Sequence, residues 1–299
     1  MSERAPIRTV GFVGLGHMGR PMSGRLAEAG LRVLGHDPAP PPADEIPAGL
    51  VLVASAADAA RGADAVVLML PNSDIVEGVV DGLLDVLEVG ATLIDMGSSR
   101  PLSTREIAAR AADRGVAFVD APVSGGVKGA EGGTLTVMAG GAAADVARVR
   151  PVLDVLGGAV VHAGDIGAGH ALKAFNNLLS ASHLLATAEV MRAGSRFGLD
   201  PAVMIEAINR SSGRCASTEA KWPNFVLTDR YDSGFGLALM LKDMRIAAEL
   251  AEAQGEPLPF GRAAVDLWAA AAEDLGPEAD QTDIARWHGR ARPDGGFAR

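Results

Sequence analysis

A lysine and a carboxamide stand four residues apart behind a glycine turn, in Gly167-Ala168-Gly169-His170-Ala171-Leu172-Lys173-Ala174-Phe175-Asn176-Asn177. On a helix, positions i and i+4 share one face, so Lys173 and Asn177 point the same way. An amine that exchanges a proton, beside an amide that orients a hydroxyl or carbonyl, is equipment for acid/base chemistry on an alcohol. A lysine on a helix is usually a solvated surface residue. The apolar residues around Lys173 and the neighbouring Asn176 and Asn177 weigh against that here.

A second constellation opens the chain. Gly14-Leu15-Gly16-His17-Met18-Gly19 follows the apolar run Val10–Val13 and begins a helix read over 18–29. In such a turn the first glycine permits the bend and the second lets backbone approach a pyrophosphate. The third lets helix and strand pack closely. The helix N-terminus adds N–H groups and positive partial charge for the phosphates. Asp37 lies about 20 residues on, at the end of the next strand, where a carboxylate binds an adenosine ribose diol. A carboxylate repels a 2'-phosphate, and no Arg or Lys occurs between Arg32 and Arg61. NAD is the expected cofactor, with NADP less favoured.

A third constellation is Ser124-Gly125-Gly126, after a strand-like run. Two glycines leave N–H groups unobstructed and a serine adds a hydroxyl donor, which suits a small carboxylate. Read alone, the segment is equally a plain turning loop.

The elements that must position these groups are short apolar runs alternating with helices. The runs are Val10–Val13, Arg32–Gly35, Val51–Ala54, Ala65–Leu70, Ala91–Asp95, Ala117–Asp120, Thr134–Ala139 and Ala159–His162. A helix over Leu102–Arg114 falls among them. That alternation predicts a parallel sheet covered on both faces. Helical patterns then take over at 169–197, 201–209, 236–254 and 259–273. The expected fold is α/β, an N-terminal Rossmann-type doubly wound sheet followed by an all-helical domain. The boundary is placed between residues 1–165 and 166–299. The run Pro38 to Pro42 forbids a regular helix directly after the second strand, and the tail from Arg290 is expected to fray.

The 299 residues are 48% apolar, ample for two cores, with a net charge of −10 and a pI near 5.1. That balance argues against nucleic acid as a partner. Cys215 is the only cysteine, so no intrachain disulfide can form, which suits a reducing cytosol. No secretory signal pattern precedes the first strand. The most apolar helix is interrupted by Lys173, Asn176, Asn177, His183 and Glu189 and is too polar to span a bilayer. A cytoplasmic protein without membrane association is expected. The six histidines show no metal-ligand spacing, and there is no Gly-x-Ser-x-Gly elbow.

Taken in order, these motifs resemble the β-hydroxyacid dehydrogenase family, which includes 3-hydroxyisobutyrate dehydrogenase and tartronate semialdehyde reductase. Gly14 to Met22 is similar to its cofactor loop, and Asp120-Ala121-Pro122-Val123-Ser124-Gly125-Gly126 to its substrate loop. Gly167 to Asn177 is similar to its catalytic helix start. Lys242-Asp243, after Phe235, is similar to its C-terminal cofactor-contacting motif. The resemblance covers nearly the whole chain. It implies an NAD(P)-dependent dehydrogenase acting on the CH–OH of a small β-hydroxy acid, with a C-terminal domain of the 6-phosphogluconate dehydrogenase type.

Lys173 would be the general acid/base and Asn177 would orient the hydroxyl, with Asn176 beside them. Ser124, Gly125 and Gly126 would hold the substrate carboxylate, and Phe235 would wall the pocket. Leu70-Pro71-Asn72, Ser98 and Lys242 would contact the cofactor with Gly14 to Gly19 and Asp37. Asp95-Met96-Gly97-Ser98-Ser99 departs from the family's Asp-x-Ser-Thr, because Gly97 replaces the serine. The extra glycine is expected to loosen that loop.

Ser211-Ser212-Gly213-Arg214-Cys215 resembles a segment of 3-hydroxyisobutyrate enzymes and ranks that substrate first, with Arg214 able to pair with a carboxylate. Alternatives are reduction of tartronate semialdehyde, glyoxylate or succinic semialdehyde. Imine reductases usually lack a lysine at this position, and a non-catalytic cofactor-binding scaffold tends to lose it. The Ala- and Leu-rich helices and the family's habit imply a homodimer or homotetramer.

Overall fold

The computed structural model describes residues 6–289. Met1 to Ala5 and the tail from Arg290 lie outside that range. The chain forms two compact units that meet in sequence after Lys173.

Among the described residues the first unit carries nine strands: β1 (Thr9–Val13), β2 (Arg32–His36), β3 (Leu50–Leu52), β4 (Ala65–Leu68), β5 (Thr92–Asp95), β6 (Ala117–Asp120), β7 (Val123–Ser124), β8 (Leu135–Gly140) and β9 (Gly157–Gly164). They lie in the order β3-β2-β1-β4-β5-β6-β8-β7, with β9 on β8. Successive residues of β1 and β4 face opposite sides. Val10, Phe12, Ala65 and Val67 enter one core, while Val13, Val66 and Leu68 enter another. Both cores are apolar because helices cover both faces. Met22 and Leu26 of α1 (Gly19–Glu28) and Val149 and Leu153 of α6 (Ala143–Leu156) close the first. The second is closed from α2 (Ala56–Ala60), α3 (Ser73–Leu83) and α4 (Pro101–Asp113) by Ala59, Val76, Val80, Ile107 and Ala111. Truncating a fully buried leucine such as Leu68 to alanine costs about 2–5 kcal/mol in such a core.

The sheet departs from the all-parallel expectation at one edge. β8 runs antiparallel to β6 and β7. Residues 125–134, with the short α5 (Gly126–Gly132), are too few for the crossover of about a dozen residues that a parallel return needs. Val123–Ser124 is therefore strand, Gly125 is the turn and Gly126 opens α5.

The second unit is helical. It contains most of α7 (Ala168–Phe197), then α8 (Pro201–Asn209), α9 (Leu237–Ala253) and α10 (Pro259–Leu275). Leu178, Ala181, Leu185 and Ala188 repeat at helical spacing on α7. They pack with Met240, Met244 and Ala247 of α9 and Val265, Trp268 and Ala271 of α10. A π-helical segment, Ser217–Val226, was not legible in the pattern. Pro223 inside it has no N–H for an ordinary helical bond, and Leu227 N–H reaches back five residues to Trp222 O at 2.9 Å.

Candidate active site

The turn after β1 is shaped by close approach. Gly14 has φ +98°, its N–H donates to His36 O at 2.9 Å, and a Cβ there would overlap Met69 O. A Cβ on Gly19 would overlap Gly14 O, so α1 packs directly on the turn. Gly16 is different: it is exposed, and a Cβ there would meet nothing within 4 Å. Its open backbone is where a pyrophosphate fits, with exposed His17 and half-buried Met18 leading into α1.

Asp37 accepts Leu15 N–H at 2.7 Å and Ala39 N–H at 2.8 Å, one on each oxygen. The carboxylate thus fixes the glycine turn and keeps lone pairs for two ribose hydroxyls. These residues fit a dinucleotide. Leu70 is buried and Pro71 exposed, while Asn72 Oδ1 caps α3 by accepting Ile75 N–H at 3.0 Å.

The loop after β5 is pinned, not loosened. Asp95 accepts Gly97 N–H at 2.9 Å and Ser99 O–H at 2.8 Å. A Cβ on Gly97 would lie 2.6 Å from Leu70 O. At Gly97, backbone stands where a side chain would begin. Ser98, between these fixed points, is half-buried.

Ser124, which ends β7, is half-buried, and Gly125 and Gly126 after it are exposed, with φ of +133° and +63°. Both lie at the turn into α5. The start of α7 is fastened by Asp120 at the end of β6. One Asp120 oxygen accepts Gly167 N–H and the other His170 N–H, both at 2.8 Å. Lys173, one turn further along, is half-buried.

In the second unit, Asn177 is buried and donates from Nδ2 to Asp243 Oδ2 at 2.6 Å. Asp243 is 1% exposed, and its other oxygen pairs with Lys242 Nζ at 2.9 Å. Asn176, exposed, donates to Asn177 Oδ1 at 3.1 Å. The predicted Asn177 and Lys242 are thereby brought together through Asp243, which had been named only as Lys242's neighbour.

Phe235 packs partly buried against the helical core, with its N–H on Asp280 at 3.2 Å. Arg214 is exposed and lies 3.7 Å from Glu219. Its nearest charge is thus an acid of its own chain. Among the described residues no group of His, Cys, Asp and Glu is arranged to hold a metal ion, and no helix is long and apolar enough to cross a membrane.

Residues 9–164 match the family model for the NAD binding domain of 6-phosphogluconate dehydrogenase. Residues 167–288 match the model for NAD-binding of NADP-dependent 3-hydroxyisobutyrate dehydrogenase. The chain belongs to the β-hydroxyacid dehydrogenase family. It is an NAD(P)-dependent dehydrogenase of that family, with a Rossmann-like domain followed by a helical one.

It is 40% identical to the NAD-dependent L-serine dehydrogenase of Pseudomonas aeruginosa over 88% of this chain and 91% of the relative. It is 38% identical to 2-(hydroxymethyl)glutarate dehydrogenase of Eubacterium barkeri over 87% of both. The solved Mycobacterium tuberculosis 3-hydroxyisobutyrate dehydrogenase with L-serine superposes with a TM-score of 0.87 at 34% identity. That alignment covers 94% of this chain and 98% of the other.

Proposed function

We propose that this member of the family catalyses NAD-dependent, reversible oxidation of the primary alcohol of a small β-hydroxy acid to its semialdehyde. The observation that carries the reading is the polar face of α7. Lys173 and Asn177 lie four residues apart on it, and Asn177 is held rigid by the buried Asp243 at 2.6 Å.

The substrates in the relatives' names share one chemical unit. 3-Hydroxyisobutyrate, L-serine and 2-(hydroxymethyl)glutarate are all HOCH2–CHR–COO−, with R a methyl, an ammonium or a propionate. We take this unit as the substrate class, and 3-hydroxyisobutyrate as the first candidate because of Ser211 to Cys215. Ser124 with the N–H groups of Gly125 and Gly126 binds the carboxylate.

A nicotinamide dinucleotide, when bound, supplies the two-electron acceptor. Gly14 to Gly19 hold its pyrophosphate and Asp37 its ribose diol; Ser98 is a further contact. Lys173 Nζ takes the alcohol proton on oxidation and returns it to the carbonyl oxygen on reduction. Asn177 orients that oxygen. Asp37 favours NAD, since its charge opposes a 2'-phosphate.

NADH formation is the test, with 3-hydroxyisobutyrate, L-serine, 2-(hydroxymethyl)glutarate and D-glycerate in parallel, each repeated with NADP. Turnover of one or more acids, abolished in Lys173→Ala while NADH still binds, supports the reading. Near-normal turnover by folded Lys173→Ala ends the acid/base assignment. Silence on every acid in protein that binds NADH moves the weight to a C=N substrate or a non-catalytic role.

A further inference from the structure

Lys173 lies one helical turn after His170, and through His170 the start of α7 meets several elements of the first unit. The Asp120 carboxylate, on β6, holds the first turn by Gly167 N–H and His170 N–H. No side chain intervenes: a Cβ on Gly140 of β8 would lie 2.5 Å from Asp120 Oδ1 and 2.7 Å from Gly169 N.

The His170 ring turns into the interior. Its Nδ1 is 2.8 Å from Thr104 Oγ1 on α4, and Thr104 donates to Arg100 O at 3.1 Å. Thr104 Oγ1 therefore sits between Arg100 O and His170 Nδ1. His170 Nε2 is buried without a hydrogen bond, 3.6 Å from Asp95 Oδ2, the oxygen that receives Ser99 O–H.

Asp95, Thr104, Asp120 and His170 are each 1% exposed or less, so none of them is open to a substrate. Burying carboxylates is costly. An apolar contact would dock a helix at less cost. What directional bonds add is a fixed rotation and depth for the helix, and catalytic groups need placement to within about 0.5 Å.

We propose that His170, seated on Thr104, and Asp120 are positioning residues that set the place of Lys173. The inference rests on Lys173 being the acid/base.

Four variants test it, chosen to keep the fold. In His170→Asn the amide occupies the place of Nδ1 and keeps the Thr104 bond. In His170→Gln it reaches the place of Nε2 and loses that bond. Thr104→Val removes the seat and Thr104→Ser keeps it. The readouts are kcat, KM for the acid, the NADH dissociation constant and the melting temperature.

A displacement of about 1 Å costs on the order of 100-fold, so Thr104→Val and His170→Gln are expected to lose roughly 10- to 100-fold in kcat. KM and NADH affinity should stay within about twofold, and His170→Asn and Thr104→Ser within about threefold of the parent. An unchanged kcat in Thr104→Val and His170→Gln overturns the proposal. So does a kcat loss that tracks only the loss of folded protein, or a rise in KM with kcat intact. Lys173→Ala, run alongside, separates the two readings. If it stays active, the acid/base assignment has failed. If it alone is inactive, only the positioning proposal has.

Discussion

Asn177 and Asp243 are 66 residues apart in sequence and 2.6 Å apart in the structure, both buried. The amide donates and the carboxylate accepts, so the Asn177 carboxamide cannot flip without losing this bond. Lys242, on the other Asp243 oxygen, completes a chain of three polar side chains.

Asp243→Leu strands the Asn177 donor, a loss of about 1–3 kcal/mol for a buried group. It also frees the amide to rotate. We expect kcat to fall on the order of 10- to 100-fold, the range for a misplaced catalytic group. Asn177→Asp sets two carboxylates against each other and should melt lower than Asn177→Ser. Differential scanning fluorimetry decides this, and an Asn177→Asp protein as stable as the serine variant refutes the pairing.

Cofactor choice turns on Asp37. Its charge should disfavour NADP, but its oxygens also fix Leu15 and Ala39 N–H. Asp37→Ser keeps an acceptor and removes the charge. The ratio of kcat/KM for NADP over NAD should rise at least about tenfold, equivalent to about 1.4 kcal/mol. An unchanged ratio would mean that selection lies elsewhere.

At Gly97 the chain should resist return to the family's serine. The added Cβ would sit 2.6 Å from Leu70 O, which is backbone and gives way only if the loop shifts. Overpacking of this kind costs about 1–3 kcal/mol. Gly97→Ser should lower the melting temperature and weaken NADH binding together. A serine variant with parental stability and affinity would show that the loop is loose after all.

Much of this was legible in sequence because it was local. The glycine turn, the acid closing the next strand and the i, i+4 pair on α7 depend on spacing alone. What sequence could not supply was contact across distance. Asp120 and Asp243 stood inside motifs already singled out, yet their roles as fasteners depend on partners 47 to 66 residues away. The loosening expected at Gly97 failed for the same reason, since Leu70 O is not a sequence neighbour. The π-helical turn around Pro223 and the antiparallel return of β8 likewise follow from hydrogen bonds that apolar periodicity does not report.

Self-association is expected through the outer face of α7. Phe175, Leu179, Val190 and Phe197 are exposed by 39%, 58%, 55% and 85%, and their spacings of 4, 11 and 7 residues put them in one stripe. Such a stripe is characteristic of an interaction surface, and a second copy of this chain is its expected partner. Light scattering after gel filtration should give a dimer or tetramer, and Leu179→Glu should shift it towards monomer. A monomeric parent refutes this.

Tyr231, the only tyrosine, gives an internal probe of the helical unit. Burial pushes its phenol above the ordinary 10.0, the negative charge of Asp229 pushes the same way, and Arg286, 3.9 Å above the ring, opposes them. The folded protein therefore keeps the phenol proton where the unfolded chain has released it. This contribution to stability is fully present below 10.0 and is lost as pH rises through the higher folded value. Absorbance near 295 nm, titrated natively and in urea, should place the native midpoint above the unfolded one. Arg286→Ala, which removes the opposing cation, should raise the native midpoint further. A native midpoint at or below the unfolded one would mean that the ring is not buried as described, or that Arg286 outweighs burial.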